Sequence, residues 1–200
     1  MSESIFFSYL KLGWHHIIST SAFDHLSFII TLGALFALSE WKKITALITA
    51  FTIGHSVTLA LSTFNLIPLS AKLVETLIPI TILITAIRNV LHKKDTSQQK
   101  TFDKEMLGYY ITALLFGFIH GMGFASSFRL MIGTTSGILV QLLAFNCGLE
   151  LGQISVVTGM LLIFYSSTKW FYVKPREWNL FISGSGFGVA LIILINTLAE

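Results

Sequence analysis

The chain has 200 residues, of which 54% are hydrophobic and 12% charged, with a formal net charge of +3 and a mean hydropathy of +0.76. A soluble domain carries roughly 25% charged residues, so this composition excludes a soluble enzyme, a secreted disulfide scaffold and a disordered tail. It reads as one transmembrane domain, residues 1–200, whose solvent is mostly lipid.

The amino-terminal stretch does not read as a cleaved signal, because Glu3 precedes Ile5 and no basic run opens it. Ser4, Ser8, Lys11, His15 and Ser19 recur at steps of three and four, opposite Phe6, Phe7, Leu10, Trp14 and Ile17. That pattern predicts an amphipathic helix lying on the membrane surface. Six apolar stretches follow, at about 23–39, 44–64, 73–91, 107–126, 138–166 and 179–199, each near the 17 to 25 residues that cross roughly 30 Å of hydrocarbon. The predicted fold class is therefore all-α, a polytopic bundle of six transmembrane helices plus the N-terminal interfacial helix. The one clearly polar interval, residues 92–105 (HKKDTSQQKTFDKE), divides halves 1–91 and 106–200. With six crossings, ten Lys and Arg residues fall in one set of loops and three (Lys11, Lys72, Arg129) in the other. Basic loops stay in the cytoplasm, which puts both termini outside and the polar loop inside. Topology alone accounts for the basic bias, so no nucleic-acid partner is inferred.

Charged side chains in membrane helices cost about 2.5 to 3.5 kcal/mol each on insertion scales and need a reason. Asp24 and His25 open the first span, His55 lies within the second, His120 in the fourth and Glu150 in the fifth. At 1.5 Å per residue, His55 and His120 fall about 17 to 20 Å from the cytoplasmic ends of helices that run the same way. Three imidazoles and two carboxylates at overlapping depths are the ligand inventory of a divalent transition metal. A lone membrane histidine also serves as hydrogen-bonding glue between helices, and Asp24 also fits a helix N-cap. His15, His16 and His92 lie in interfacial or loop segments and read as solvated residues. The single cysteine, Cys147, rules out a two-cysteine site, and without a thiolate or methionine cluster Cu(I) is disfavoured.

Weaker signals surround these five. Thr45, Thr49, Thr52, Ser56 and Thr63 form a hydroxyl stripe beside His55, while Asn146, Glu150 and Gln153 share one face of the fifth span. Glu75 precedes Pro79 by four residues, and the proline frees the Glu75 carbonyl. Gly117 with Gly121, Gly148 with Gly152 and Gly184 with Gly188 are each four apart, a spacing that favours close helix contact.

These residues stand in strings that give the chain its resemblance to a known family. The strings are Phe23 to Leu26 (FDHL), Thr49 to Ala60 (TAFTIGHSVTLA), Val74-Glu75 with Asn89 downstream, Phe116 to Ala125 (FGFIHGMGFA) and Phe145 to Gln153 (FNCGLELGQ). In this order, over nearly the whole chain, the sequence resembles the HupE/UreJ family of bacterial membrane proteins, associated with nickel and cobalt uptake for hydrogenases and ureases. The resemblance implies a permease-like protein of the bacterial inner membrane with Asp24, His25, His55, His120 and Glu150 as metal ligands. His16, Glu75, Asn146 and Gln153 are secondary candidates. Family members often carry a histidine and then a glycine just before the Asp-His pair; here Ser21-Ala22 replace that glycine and His16 lies farther upstream.

The leading functional expectation is a transition-metal transporter for Ni(II) or Co(II), with Zn(II), Fe(II) and Mn(II) as further candidate ions. The alternative is a membrane-embedded metalloenzyme that holds the metal permanently at the same residues and activates water. A haem protein using His55 and His120 leaves the carboxylates unexplained. The partners expected are the metal ion, the bilayer, and metalloenzyme-maturation proteins or further copies of the chain.

Overall fold

The computed structural model describes residues 4–19, 23–67, 70–92, 100–131 and 137–199. Most of the polar loop, residues 93–99, and the Ser21-Ala22 departure lie outside the described residues. Seven α-helices follow in chain order: α1 (Ile5–Ile18), α2 (Phe23–Gly33), α3 (Trp41–Thr63), α4 (Ala71–Leu91), α5 (Lys104–Met131), α6 (Ile138–Phe171) and α7 (Pro175–Ala199), with a 3-10 turn at Leu38–Glu40 before α3. Among the described residues there is no strand. The helices α3 to α7 are each long and apolar enough to cross a membrane, so the chain is a multi-pass membrane protein. Their outward faces stay apolar, with Ile53, Leu115, Leu143, Leu162 and Ile192 all exposed, as a lipid solvent requires.

Local chemistry sets the helix ends. Ser70 accepts from the Leu73 amide and Asp103 from the Met106 amide, capping α4 and α5. Pro175 opens α7, where its missing N–H costs nothing. Gly137, at φ 91°, supplies the left-handed turn that launches α6.

Two of the three glycine pairs make the core contacts. A side chain at Gly117 or Gly121 would land on the backbone of Phe51 or His55, and one at Gly54 on the Leu114 carbonyl. These contacts advance together along both helices, so α3 and α5 lie side by side and parallel. A side chain at Gly13 would strike the Phe145 carbonyl, and one at Gly148 the Leu10 carbonyl, so α1 runs parallel to α6 in the same intimate way. The third pair has no such role: nothing lies within 4 Å of a side chain built at Gly184 or Gly188.

One sequence expectation is corrected here and one gains a partner. The N-terminal amphipathic helix is α1, which lies along α6, because Gly13 and Gly148 let the two backbones touch. Its polar residues Ser4, Ser8, Lys11 and His15 do face outward; the amphipathic face was legible, and its partner was not. The first span, expected over 23–39, is helical only to Gly33. There the chain turns, with the Ala34 amide on the Thr31 carbonyl and the Phe36 amide on that of Gly33, and Gly33 abuts the Met160 side chain. At about 21 and 16 Å, α1 and α2 are each too short to cross alone. Both run the same way, α1 beside the first half of α6 and α2 onward to Met160. The end of α1 and the start of α2 bring His16 against His25, ring centroids 4.6 Å apart.

The start of α3, end of α4, start of α5, end of α6 and start of α7 gather at one end of the bundle, which carries Lys42, Lys43, Arg88, Lys104, Lys174 and Arg176. Contacts fix this: Arg176 donates to the His92 and Val90 carbonyls, and Trp178 stacks on Phe164 at 5.1 Å. We call it the basic end. A buried Lys43–Glu40 pair at 3.0 Å braces the turn between α2 and α3.

Candidate metal centre

Four helices deliver four histidines to one place. His16 comes from α1, His25 from α2, His55 from α3 and His120 from α5. Donor atoms of His16, His25 and His55 all lie within 4.8 Å of one another, and His120 stacks edge-on to His25 at 4.8 Å. His55 and His120 are fully buried and His25 nearly so, at 3% exposure. The walls are aromatic: Phe124 lies 4.0 Å from the His16 ring, Phe28 and Phe51 lie 5.0 and 5.2 Å from His120, and Phe145 lies 6.4 Å from His55.

Hydrogen bonding leaves each of these imidazoles with at least one nitrogen unpartnered among the described residues. Asp24 Oδ1 accepts from the His25 amide at 2.8 Å and lies 3.0 Å from His25 Nδ1. A carboxylate there holds Nδ1 as the protonated nitrogen and leaves the lone pair on Nε2, the outer-shell pattern of metal-binding histidines. Thr81 Oγ1 donates to the Ile78 carbonyl at 2.7 Å and stands 3.0 Å from His120 Nε2, so a hydroxyl already spent on Ile78 favours the His120 tautomer with its proton on Nε2 and its lone pair on Nδ1. His16 Nε2, His25 Nε2, both nitrogens of His55 and His120 Nδ1 are buried without a partner. Each such atom costs about 1 to 3 kcal/mol, and five in one cluster is not how a structural core is built.

The donor set suits a borderline divalent transition ion, for which imidazole is a preferred ligand. Nitrogens bound to one tetrahedral ion stand about 3.3 Å apart, given metal–nitrogen bonds near 2.0 Å. Ring rotations on the order of an ångström close the His16, His25 and His55 donors onto that spacing. A cavity of about 340 Å³ reaches the cluster at His16 and His25, with Asp24, Glu75, Gly123 and Phe124 also on its walls. Two carboxylates and two imidazoles on one cavity lining raise the local concentration of cations.

Of the residues singled out from sequence, His25, His55 and His120 come together. Asp24 serves as the orienting partner of His25, and Glu75 stands exposed on the cavity wall. Glu150 does not join the cluster. It accepts from Thr49 Oγ1 at 2.7 Å at the seam between α3 and α6, about 9 Å of helical rise from His55 toward the basic end. Gln153 sits beside it, accepting from Thr52 at 2.8 Å, and Asn146 donates back to the Leu142 carbonyl of its own helix.

His16, read from sequence as an interfacial residue and only a secondary candidate, has its donor atom within 4.8 Å of those of His25 and His55. The cause is the α1–α6 contact, and the available signal was Gly13 three residues earlier on the same helical face. His92 is not simply solvated either, its Nδ1 standing 3.0 Å from the Tyr109 hydroxyl. Sequence reasoning missed Thr81 altogether, since nothing local marks a threonine that favours one tautomer of a ring 39 residues away.

The family model described as HupE / UreJ protein matches residues 1–197. Among curated proteins and among solved structures nothing matches the chain. The match spans all four clustered histidines and nearly the whole chain; the chain belongs to the HupE/UreJ family.

Proposed function

We propose that the protein carries a divalent transition metal across the membrane, Ni(II) or Co(II) first among candidates in keeping with its family, and that His16, His25, His55 and His120 bind the ion. The observation that carries this reading is the convergence of His16, His25 and His55 donor atoms within 4.8 Å of one another, with unpartnered buried imidazole nitrogens there and a cavity lined by His16, His25, Asp24 and Glu75 beside them. The ion is gathered by the carboxylates, stripped of water as it enters the aromatic walls, and held by nitrogen lone pairs that Asp24 and Thr81 aim. With the basic end in the cytoplasm, both termini face outward and the cavity opens to the outside of the bacterial inner membrane. Hydrogenase or urease maturation proteins are the downstream partners this role implies, and further copies of the chain are the other partner considered.

The test is uptake of Ni(II) or Co(II) into proteoliposomes by the purified chain, compared with His55→Ala and His120→Ala. Uptake lost in both variants, with the proteins still folded and inserted, supports the reading. Unchanged metal content in His120→Ala removes that residue from the ligand set. A stoichiometric, tightly held metal without uptake replaces the transporter with a membrane metalloenzyme.

A further inference from the structure

The seam between α3 and α6 holds a second polar group that the histidine cluster does not use. Thr49 donates to Glu150 Oε1 at 2.7 Å, and one turn along, Thr52 donates to Gln153 Oε1 at 2.8 Å. Gln153 is 0% exposed and Thr52 6%. Thr52 is three residues from His55, a rise of about 4.5 Å, so this ladder begins where the imidazoles end and continues toward the basic end.

Two features of the ladder are independent of each other, and both call for a ligand. Glu150 lies at membrane depth on a helix whose neighbouring positions Leu143 and Leu151 are exposed to lipid. Its one hydrogen-bonding partner among the described residues is the neutral Thr49, with no cationic side chain beside it. A carboxyl group at that depth is rare and marks an ion pathway by default. Gln153 Nε2, separately, is buried with no acceptor, which calls for an oxygen at the seam such as a water molecule. Two hydroxyls, a carboxylate and an amide carbonyl are hard oxygen donors, in contrast to the imidazoles above them.

We propose that Thr49, Thr52, Glu150 and Gln153 form a second cation station, an oxygen-donor site that takes a partly hydrated divalent ion and lies between the histidine cluster and the basic end. The inference rests on the reading that the protein moves a metal ion, and gives that movement its second step. Nitrogen ligands hold a borderline ion tightly, whereas oxygen ligands and water hold it loosely, so transfer from cluster to seam is the step that lets it leave. Glu150 is then a relay for the ion and no part of its first coordination shell.

The station is tested apart from transport by equilibrium dialysis of Mn(II), an ion that favours oxygen donors, against the full-length protein in detergent. A Mn(II) equivalent that survives His55→Ala and is lost in His55→Ala combined with Glu150→Gln is the expected result. No Mn(II) bound by His55→Ala overturns the station, as does binding that Glu150→Gln leaves intact; if His55→Ala does not fold, His120→Ala takes its place. Uptake then assigns the role. Glu150→Gln and Thr52→Val should each slow Co(II) uptake about tenfold, the loss expected for one ionic or hydroxyl contact, while Co(II) affinity at the histidines stays within about twofold and Thr52→Ser restores the rate. Co(II) binding that falls together with uptake in Glu150→Gln puts that residue in the histidine site and overturns the separation. Normal uptake in both variants overturns the relay while leaving the transport reading intact, and absent uptake in the wild type defeats that reading while the dialysis still decides the station.

Discussion

Two buried polar clusters sit in this bundle, and they are built on opposite principles. Near the basic end, Asn89 donates to the Thr31 carbonyl at 2.6 Å and to Ser183 Oγ at 3.3 Å, Asn179 donates to the Asn89 carbonyl at 2.8 Å, and Ser183 donates to Asn179 Oδ1 at 2.9 Å. No buried nitrogen or oxygen of these three side chains is left unpartnered. In the histidine cluster His25, His55 and His120 are as deeply buried, yet five of the imidazole nitrogens have no hydrogen-bonding partner among the described residues. A satisfied network ties α2, α4 and α7 together and asks for nothing more; an unsatisfied one stores affinity for what is missing. Burial of polar groups is therefore no guide to function in a membrane bundle, whereas the state of their hydrogen bonds is.

The contrast can be broken by substitution. The largest effect falls on His55→Ala, which removes a ligand with both nitrogens free; metal affinity should drop by about 100-fold or more, which is about 2.7 kcal/mol or more of binding free energy, while the apo protein keeps its thermal stability because an unsatisfied buried group has gone. Titration of Co(II) followed by its visible absorption reads the first quantity and a melting curve in detergent the second. Asp24→Asn should weaken binding about 10- to 100-fold, the range for loss of a carboxylate that orients a ligand, and the same titration measures it. Thr81→Val should cost about tenfold by releasing the His120 tautomer, with Thr81→Ser restoring the affinity; failure of serine to rescue would make Thr81 a packing residue. Asn89→Leu should leave Co(II) affinity unchanged and instead lower stability by about 1 to 3 kcal/mol, read from the melting curve. Equal effects of Asn89→Leu and His55→Ala on affinity would erase the distinction between the clusters.

Much of the fold is written in the apolar runs. The helices α3 to α7 begin and end close to the predicted spans because lipid imposes length and hydrophobicity on each one separately. The stop at Gly33 was not legible, since Gly33, Ala34, Leu35 and Phe36 stay apolar through the turn and hydropathy cannot tell a buried turn from a helix. Amphipathicity told which face of α1 turns inward without telling what receives it, and that hid His16. At the site, His25, His55 and His120 stand out because imidazoles in lipid are costly. Depth alone suggested that Glu150 joins them. The α3–α6 contact, which no spacing within either helix encodes, leaves it beside Thr49 instead.

The most direct test of the central claim is X-ray absorption at the metal edge of the purified protein loaded with one equivalent of Ni(II) or Co(II). The account predicts the outer-shell scattering of at least three imidazole rings, reduced by one ring in His55→Ala. A spectrum with only oxygen ligands, or one that His55→Ala leaves unchanged, would contradict it.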